Sequence, residues 1–295
     1  MLSTETPSNL HADLDLYSTQ DLVRALVDDH AYAVRAVQMA AASLAKAVDA
    51  AVPRMLAGGR LIYVGAGTSG RLGVLDSVEL YPTFSLPRER AIGVIAGGAT
   101  AMFAAVEGAE DDKQQGADDL RQLNVGPNDV VLLLAASGAT PYVLGALAAA
   151  KSAGALAVGF ANNVDAPITL QADVGVTLDT GSELVSGSTR LKAGSAQKIA
   201  LNSFSTALMV RLNKVYGNLM VDLKATNFKL IKRAVALTMR AAQCDEATAR
   251  ATLGQCDHHV KVAVVAIRLD CDVVVARSRL AEVGDSVRRA LGETV

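Results

Sequence analysis

Thr68 and Ser69 sit among glycines in Leu61-Ile-Tyr-Val-Gly65-Ala-Gly67-Thr68-Ser69-Gly70-Arg71, and an apolar helical pattern follows from Leu72 to Leu80. Four apolar residues, a glycine turn and a helix start predict a buried strand that feeds a helix N-terminus. Glycines let the backbone approach a ligand closely. The helix start presents unpaired N–H groups and the positive end of its dipole. With the two hydroxyls, they form a seat suited to phosphate. The same letters fit G-x-G-x-x-G, a dinucleotide fingerprint that calls for an acidic residue at the end of the next strand. Here that strand, Ala91-Ile-Gly-Val-Ile-Ala-Gly-Gly98, ends on glycines, so sugar phosphate ranks above dinucleotide. A strand–helix turn without a ligand is the competing reading.

A second loop, Ala135-Ala136-Ser137-Gly138-Ala139-Thr140-Pro141, repeats this logic. A strand ends, hydroxyls flank a glycine, and Pro141 suits the first turn of a helix. Two such loops can grip one phosphate from two sides; alternatively, each is an N-cap serving its own helix. A third segment runs from Gly181 through Glu183, Ser186, Ser188, Arg190 and Lys192 to Lys198. Its small hydroxyl residues beside cations suit an anionic, hydroxylated ligand, although for this segment taken alone a solvated loop before a helix is the better reading. Two acids complete the set. Glu79 lies at the far end of the helix that starts at the first loop. Glu110, in Glu107-Gly-Ala-Glu110-Asp111-Asp112, is expected to close the apolar part of the next helix. A carboxyl among apolar neighbours can have a raised pKa and exchange protons near neutrality, but surface acids of the same type are commoner.

The elements that must position these residues alternate. Strands are expected at 60–64, 91–96, 130–135, 156–160 and 174–178, with helices near 70–80, 100–122, 141–153 and 192–215. Short apolar strands between helices predict a parallel sheet covered on both faces, with ligands beyond the strands' carboxyl ends. Before them come an extended arm over residues 1–17, a capping box at Ser18–Asp21, a short helix to about Val27, and a long Ala-rich helix from about His30 to Met55. That long helix packs on its own core or on a second subunit. After about residue 220 only helices are expected, near 226–242, 246–254, 257–269, 272–281 and 284–291. Asp245 caps the second of these, and Val273 to Val275 is ambiguous between helix and strand.

At 51% hydrophobic and 20% charged, the 295 residues can bury a substantial core. A net charge of -2, 4% aromatic content and no Trp argue against a nucleic-acid partner. No apolar run approaches the roughly 18 residues of a membrane span, and the polar, acidic start does not read as a secretory signal. Cys244, Cys256 and Cys271 are scattered and odd in number, which fits a reducing cytoplasm. Cys256 with His258 and His259 lacks a fourth ligand and reads as an ordinary helical turn, not a metal site.

Together the motifs resemble the N-acetylmuramic acid 6-phosphate etherases. They are Gly65 to Gly73, Val106 to Asp111, Ala135 to Tyr142, Ser186 to Gly194, and Tyr216 to Asp222 followed by Ala225-Thr-Asn227. The resemblance runs from about residue 15 to the C-terminus. It implies an α/β, three-layer sugar isomerase (SIS) domain with a five-stranded parallel sheet over residues 56–222. N-terminal helices would fill residues 1–55, and a helical part similar to a ubiquitin-associated domain residues 223–295. It also implies a homodimer, a bacterial cytoplasmic role in cell-wall sugar recycling, and no metal or organic cofactor. The implied reaction releases D-lactate from C3 of a 6-phosphorylated amino sugar. The implied roles are Glu79 as proton donor and Glu110 for C2 proton transfer. Thr68, Ser69, Gly70, Ser137, Gly138 and Thr140 would bind phosphate, with Glu183, Ser188 and Lys192 on the substrate side.

The chain departs from the family pattern at Val78, Leu80 and Tyr81 around the donor, and at Ala139, where a longer polar side chain is usual. Two other readings share the phosphate loops. One is a sugar-phosphate sensor similar to the glucokinase regulatory protein, without turnover. The other is an aldose–ketose isomerase, which needs a base but no acid for a leaving group.

Overall fold

Leu61–Gly65 (β1), Val130–Leu134 (β3) and Leu156–Ala161 (β4) are buried along their whole length, as strands covered on both faces must be. Ala91–Ile95 (β2) and Val174–Thr177 (β5) flank them as the more exposed edges. In the computed structural model, which describes residues 2–223 and 228–294, these five strands form one parallel sheet in the order β2-β1-β3-β4-β5. Each expected strand is present within two residues of its expected bounds.

Side chains alternate between two faces. Ile62, Val64, Val131, Leu133 and Ala157 meet Val143, Ala146 and Leu147 of the helix Pro141–Ser152. On the other face Phe160 stacks edge-on against Phe204, with ring centroids 6.4 Å apart. The architecture is α/β with three layers.

The helices in chain order begin with Thr19–Asp29 (α1), Ala31–Met39 (α2), Ala41–Leu56 (α3) and Gly67–Phe84 (α4). They continue with Lys113–Gln122 (α5), Pro141–Ser152 (α6), Pro167–Gln171 (α7) and Lys192–Arg211 (α8). Ser18 caps α1 by accepting the Asp21 N–H at 3.2 Å, as its spacing predicts. The residues before it form short 3-10 turns at Ser3–Glu5, Asn9–His11 and Leu14–Leu16.

Three expectations need correction. The long Ala-rich helix is two helices, because the backbone at Ala40 leaves the helical region (ψ 1°). The break lets α2 bury Ala33 and Ala36 while α3 buries Ala47 and Ala51. The helix expected over 100–122 is two 3-10 turns, Gly98–Met102 and Ala109–Asp111, and then α5. Gly97, Gly98 and Gly108 take positive φ there, which ends helical geometry, and Asp112 restarts it by accepting the Gln115 N–H at 2.8 Å. The helix expected to reach 215 stops at Arg211. A short antiparallel pair follows, Val215–Tyr216 (β6) with Leu219–Met220 (β7), turning at Gly217 with φ 59°.

The chain divides into two compact units, Met1–Val78 with Arg88–Thr206, and Glu79–Pro87 with Ala207–Val295. The second holds Phe228–Ala242 (α9), Glu246–Gln255 (α10), Val260–Leu269 (α11), Val273–Glu282 (α12) and Val287–Ala290 (α13). Helix α11 runs through its core, burying Val260 to Ala266. Asp245 caps α10, and Asp272 caps α12, so the ambiguous run Val273 to Val275 is helical. The Ala225-Thr-Asn227 motif lies outside the described residues.

Candidate active site

The first loop works because strand and helix touch. A Cβ added to Gly65 would lie 2.7 Å from the Gly70 nitrogen, and one on Gly70 would lie 2.7 Å from the Gly65 oxygen. Only glycine at both places lets the first turn of α4 lie against the end of β1, with its N–H groups uncovered. Buried polar ties hold α4 there. The Tyr63 hydroxyl of β1 donates to Asp76 Oδ2 at 2.7 Å, and Asn202 of α8 donates to Asp76 Oδ1 at 2.6 Å. Burial, with the Asp76 charge beside it, pushes the Tyr63 phenol well above its ordinary pKa, so it stays a donor. Arg71 Nε donates to the Ala101 carbonyl at 3.0 Å, tying α4 to the turn after β2.

The second loop leaves β3 and enters α6 at Pro141. Gly138 has φ 70°, and a Cβ there would come within 2.4 Å of the Ala166 methyl. Thr140 occupies the N-cap position of α6, yet its side chain makes no cap bond. The N-cap reading therefore does not hold for this hydroxyl, which instead lines a cavity.

That cavity, of about 340 Å³, collects Thr68 and Ser69 from the first loop and Ser137 and Thr140 from the second. Glu110 and Asp111 enter from the 3-10 turn before α5, Thr189 from the segment before α8, and Glu5 from the N-terminal arm. Helix N-terminal N–H groups and hydroxyls face a cluster of carboxylates, and among the described residues no Lys, Arg or His lines the cavity. Such a lining can hold an anion with neutral donors, and its carboxylates can exchange protons or accept from hydroxyls.

The sequence is similar to characterised families over nearly its whole length. A family model described as the glucokinase regulatory protein N-terminal SIS domain matches residues 43–151. The N-acetylmuramic acid 6-phosphate etherase of Deinococcus radiodurans is 56% identical over 283 residues, covering 96% of this chain and 93% of that one. The protein of the same name from Cutibacterium acnes is 47% identical, covering 99% and 96%. The chain belongs to the N-acetylmuramic acid 6-phosphate etherase family.

A solved structure of a phosphoheptose isomerase from Francisella tularensis matches with a TM-score of 0.50 at 15% identity, over 65% of this chain and 98% of that one. That likeness concerns the SIS fold alone.

Within this etherase-family chain, Glu110, Thr68, Ser69, Ser137 and Thr140 line one cavity, with Gly70 and Gly138 shaping the two loops behind them. Other expected site residues lie elsewhere. Glu183 is fully buried and accepts the N–H groups of Lys192 and Ala193 at 3.2 and 2.9 Å, capping α8. Burial raises its pKa, and those two N–H groups pull the other way. Lys192 points its ammonium at Asp29, 2.7 Å away, and over the Tyr32 ring at 5.2 Å. It lines a separate cavity of about 840 Å³ with Arg35 and Thr180. Ser188 is half-buried and outside the lining.

Glu79 is exposed and also outside the lining. It is twelve residues beyond Gly67 on α4. Glu5 and Thr189 line the cavity without any role in the sequence reading. Among the described residues, no group of three His, Cys, Asp or Glu is placed to hold a metal ion, and no helix is long and apolar enough to cross a membrane.

Proposed function

We propose that the chain is a carbon–oxygen lyase that cleaves the D-lactyl ether of N-acetylmuramic acid 6-phosphate. The products are N-acetylglucosamine 6-phosphate and D-lactate, in the cytoplasmic recycling of cell-wall sugars. The observation that carries this is the full-length likeness to the Deinococcus radiodurans etherase, together with the convergence of both hydroxyl loops and Glu110 on one cavity. Residues 56–222 carry the sugar-phosphate site in this reading, and 223–295 form a helical part similar to a ubiquitin-associated domain.

The phosphate sits against Thr68, Ser69, Ser137, Thr140 and the N-terminus of α4. In the ring-opened sugar, the C1 aldehyde acidifies the C2 proton, and Glu110 removes it. The C3–O bond breaks with the electron pair going to the lactate oxygen, which takes a proton from Glu79. Water then adds across C2=C3, placing hydroxyl on C3 and a proton on C2. Because Glu79 is not among the residues that line the cavity, we assign the acid to a second copy of the chain in a homodimer. Release of D-lactate from N-acetylmuramic acid 6-phosphate tests the reading, and a protein that binds this ligand without releasing lactate refutes it. That second outcome would favour a sensor without turnover, a reading supported by the match to the glucokinase regulatory protein model.

A further inference from the structure

The arm that carries Glu5 is fastened to the second phosphate loop by one side chain. Thr4 is fully buried, and Asn163 is 2% exposed. Asn163 Oδ1 accepts the Ser3 hydroxyl at 2.9 Å and the Thr4 N–H at 3.3 Å. Its Nδ2 donates to Thr4 Oγ1 at 3.0 Å and to the Ala136 carbonyl at 2.9 Å. Ala136 directly precedes Ser137, so the amide that orders the arm also orders the loop. On the far side, the Ser186 hydroxyl donates to the Glu5 carbonyl at 3.3 Å. Thus the backbone on both sides of the Glu5 carboxylate is held.

The carboxylate itself is not used by the fold. Among the described residues none hydrogen-bonds it or pairs with it. It rests over Gly187, where an added Cβ would come within 3.2 Å of Oε2. Glu5 is exposed, and its carboxylate lines the cavity without a protein donor among the described residues, so it is free to accept from a ligand. It cannot accept from a phosphate dianion, which carries the same charge and no proton to give. Among the described residues the cavity offers it no cation. What remains on a 6-phosphorylated sugar is the set of neutral hydroxyls between the phosphate and the reacting carbons, and two oxygens suit two neighbouring hydroxyls.

We propose that Glu5 is a specificity-determining, substrate-contacting residue. Presented by the Asn163-fastened arm, it accepts hydrogen bonds from sugar hydroxyls while the two loops hold the phosphate. This deepens the etherase reading and rests on it. Glu110 and Glu79 move protons, and Glu5 tells a sugar phosphate from a bare phosphate.

The test compares binding of N-acetylglucosamine 6-phosphate and of inorganic phosphate, by calorimetry, to the wild-type chain, Glu5→Gln, Asn163→Ala and the double variant. A charge-assisted pair predicts that Glu5→Gln weakens the sugar phosphate about tenfold. Inorganic phosphate affinity stays unchanged or rises slightly. Asn163→Ala also frees the Ala136 carbonyl beside Ser137, so it weakens the sugar phosphate at least as much and inorganic phosphate as well, and adding Glu5→Gln to it costs little more because the Glu5 contact is already lost. Sugar phosphate affinity unchanged in Glu5→Gln, or both ligands weakened alike by that variant, overturns the proposal. D-lactate release by the wild type is scored separately. If release is absent but the selective loss appears, the lyase reading fails and the Glu5 assignment stands. If release occurs without the selective loss, the reverse holds.

Discussion

Glu183 Oε1 accepts the Ala193 N–H at 2.9 Å, so a fully buried carboxylate closes the first turn of α8. Buried N-caps are stability devices, and replacing one with Ala typically costs about 1–2 kcal/mol, more when other groups are left unpaired. Glu183→Ala should therefore lower the melting temperature, with a smaller loss for Glu183→Gln, which keeps one acceptor oxygen. Burial raises the folded pKa above the unfolded value, so the folded chain binds the proton more tightly. This group's contribution to stability then falls as pH rises from the ordinary carboxyl range through the raised folded value. The stability of Glu183→Gln relative to wild type should rise over the same window, as denaturant titrations at several pH values would read.

Glu79→Gln and Glu110→Gln should each abolish lactate release. If acid and base come from different chains of a two-fold dimer, co-expressing the two variants should restore activity. Random pairing makes half the dimers hybrids with one intact site each, so about a quarter of wild-type activity is expected. Absence of recovery despite demonstrated hybrid dimers would place both groups in one chain.

The hydroxyls at Ser69 and Thr140 should act on binding. Ser69→Ala and Thr140→Val are each expected to raise KM about tenfold with kcat little changed, since hydrogen bonds to charged groups are worth about 1.5–3 kcal/mol. Inhibition by inorganic phosphate should weaken in parallel. Because no Lys, Arg or His among the described residues lines the cavity, KM should also respond little to ionic strength. A steep salt dependence would show that a cation outside this lining takes part.

Asp129 anchors the start of β3 to β1. Its carboxylate accepts from Arg60 N, Nε and Nη2 at 2.9, 3.1 and 2.7 Å, and from the Gly126 N–H at 2.9 Å. Burial works against the charge, but the Arg60 and Gly126 donors outweigh it and hold the pKa below the usual carboxylate value. A depressed folded pKa contributes stability above the unfolded pKa and loses it as pH falls through the folded one. Asp129→Asn should cost about 2–3 kcal/mol at neutral pH, with Arg60 left underpaired. The difference from wild type should shrink at acid pH, as unfolding titrations would measure.

Much of the framework was legible locally. Apolar runs bounded by Gly, Pro, Asn or Asp marked all five strands. Ser18 and Asp245 announced their helices, because a cap is a contact with a residue three positions on. The two phosphate loops were legible for the same reason, each needing only a strand end, a glycine and a helix start. Gly108 and Asp112 carried the information that the helix expected over 100–122 breaks. They were outweighed by the apolar positions around them. The Ala40 break had no such signal, since alanine fits both sides of it.

The sequence by itself determined which segments are strands and where the two glycine–hydroxyl loops lie, because those follow from neighbours along the chain. Only the tertiary structure decided what the long-range side chains do. Lys192 meets Asp29 across 163 positions and is spent there, Glu183 turns inward to cap a helix, and Asn163 brings Glu5 to the cavity from the other end of the chain. Residue type is the same for a cap, a pair and a ligand contact, and the partner that tells them apart is a fact of packing.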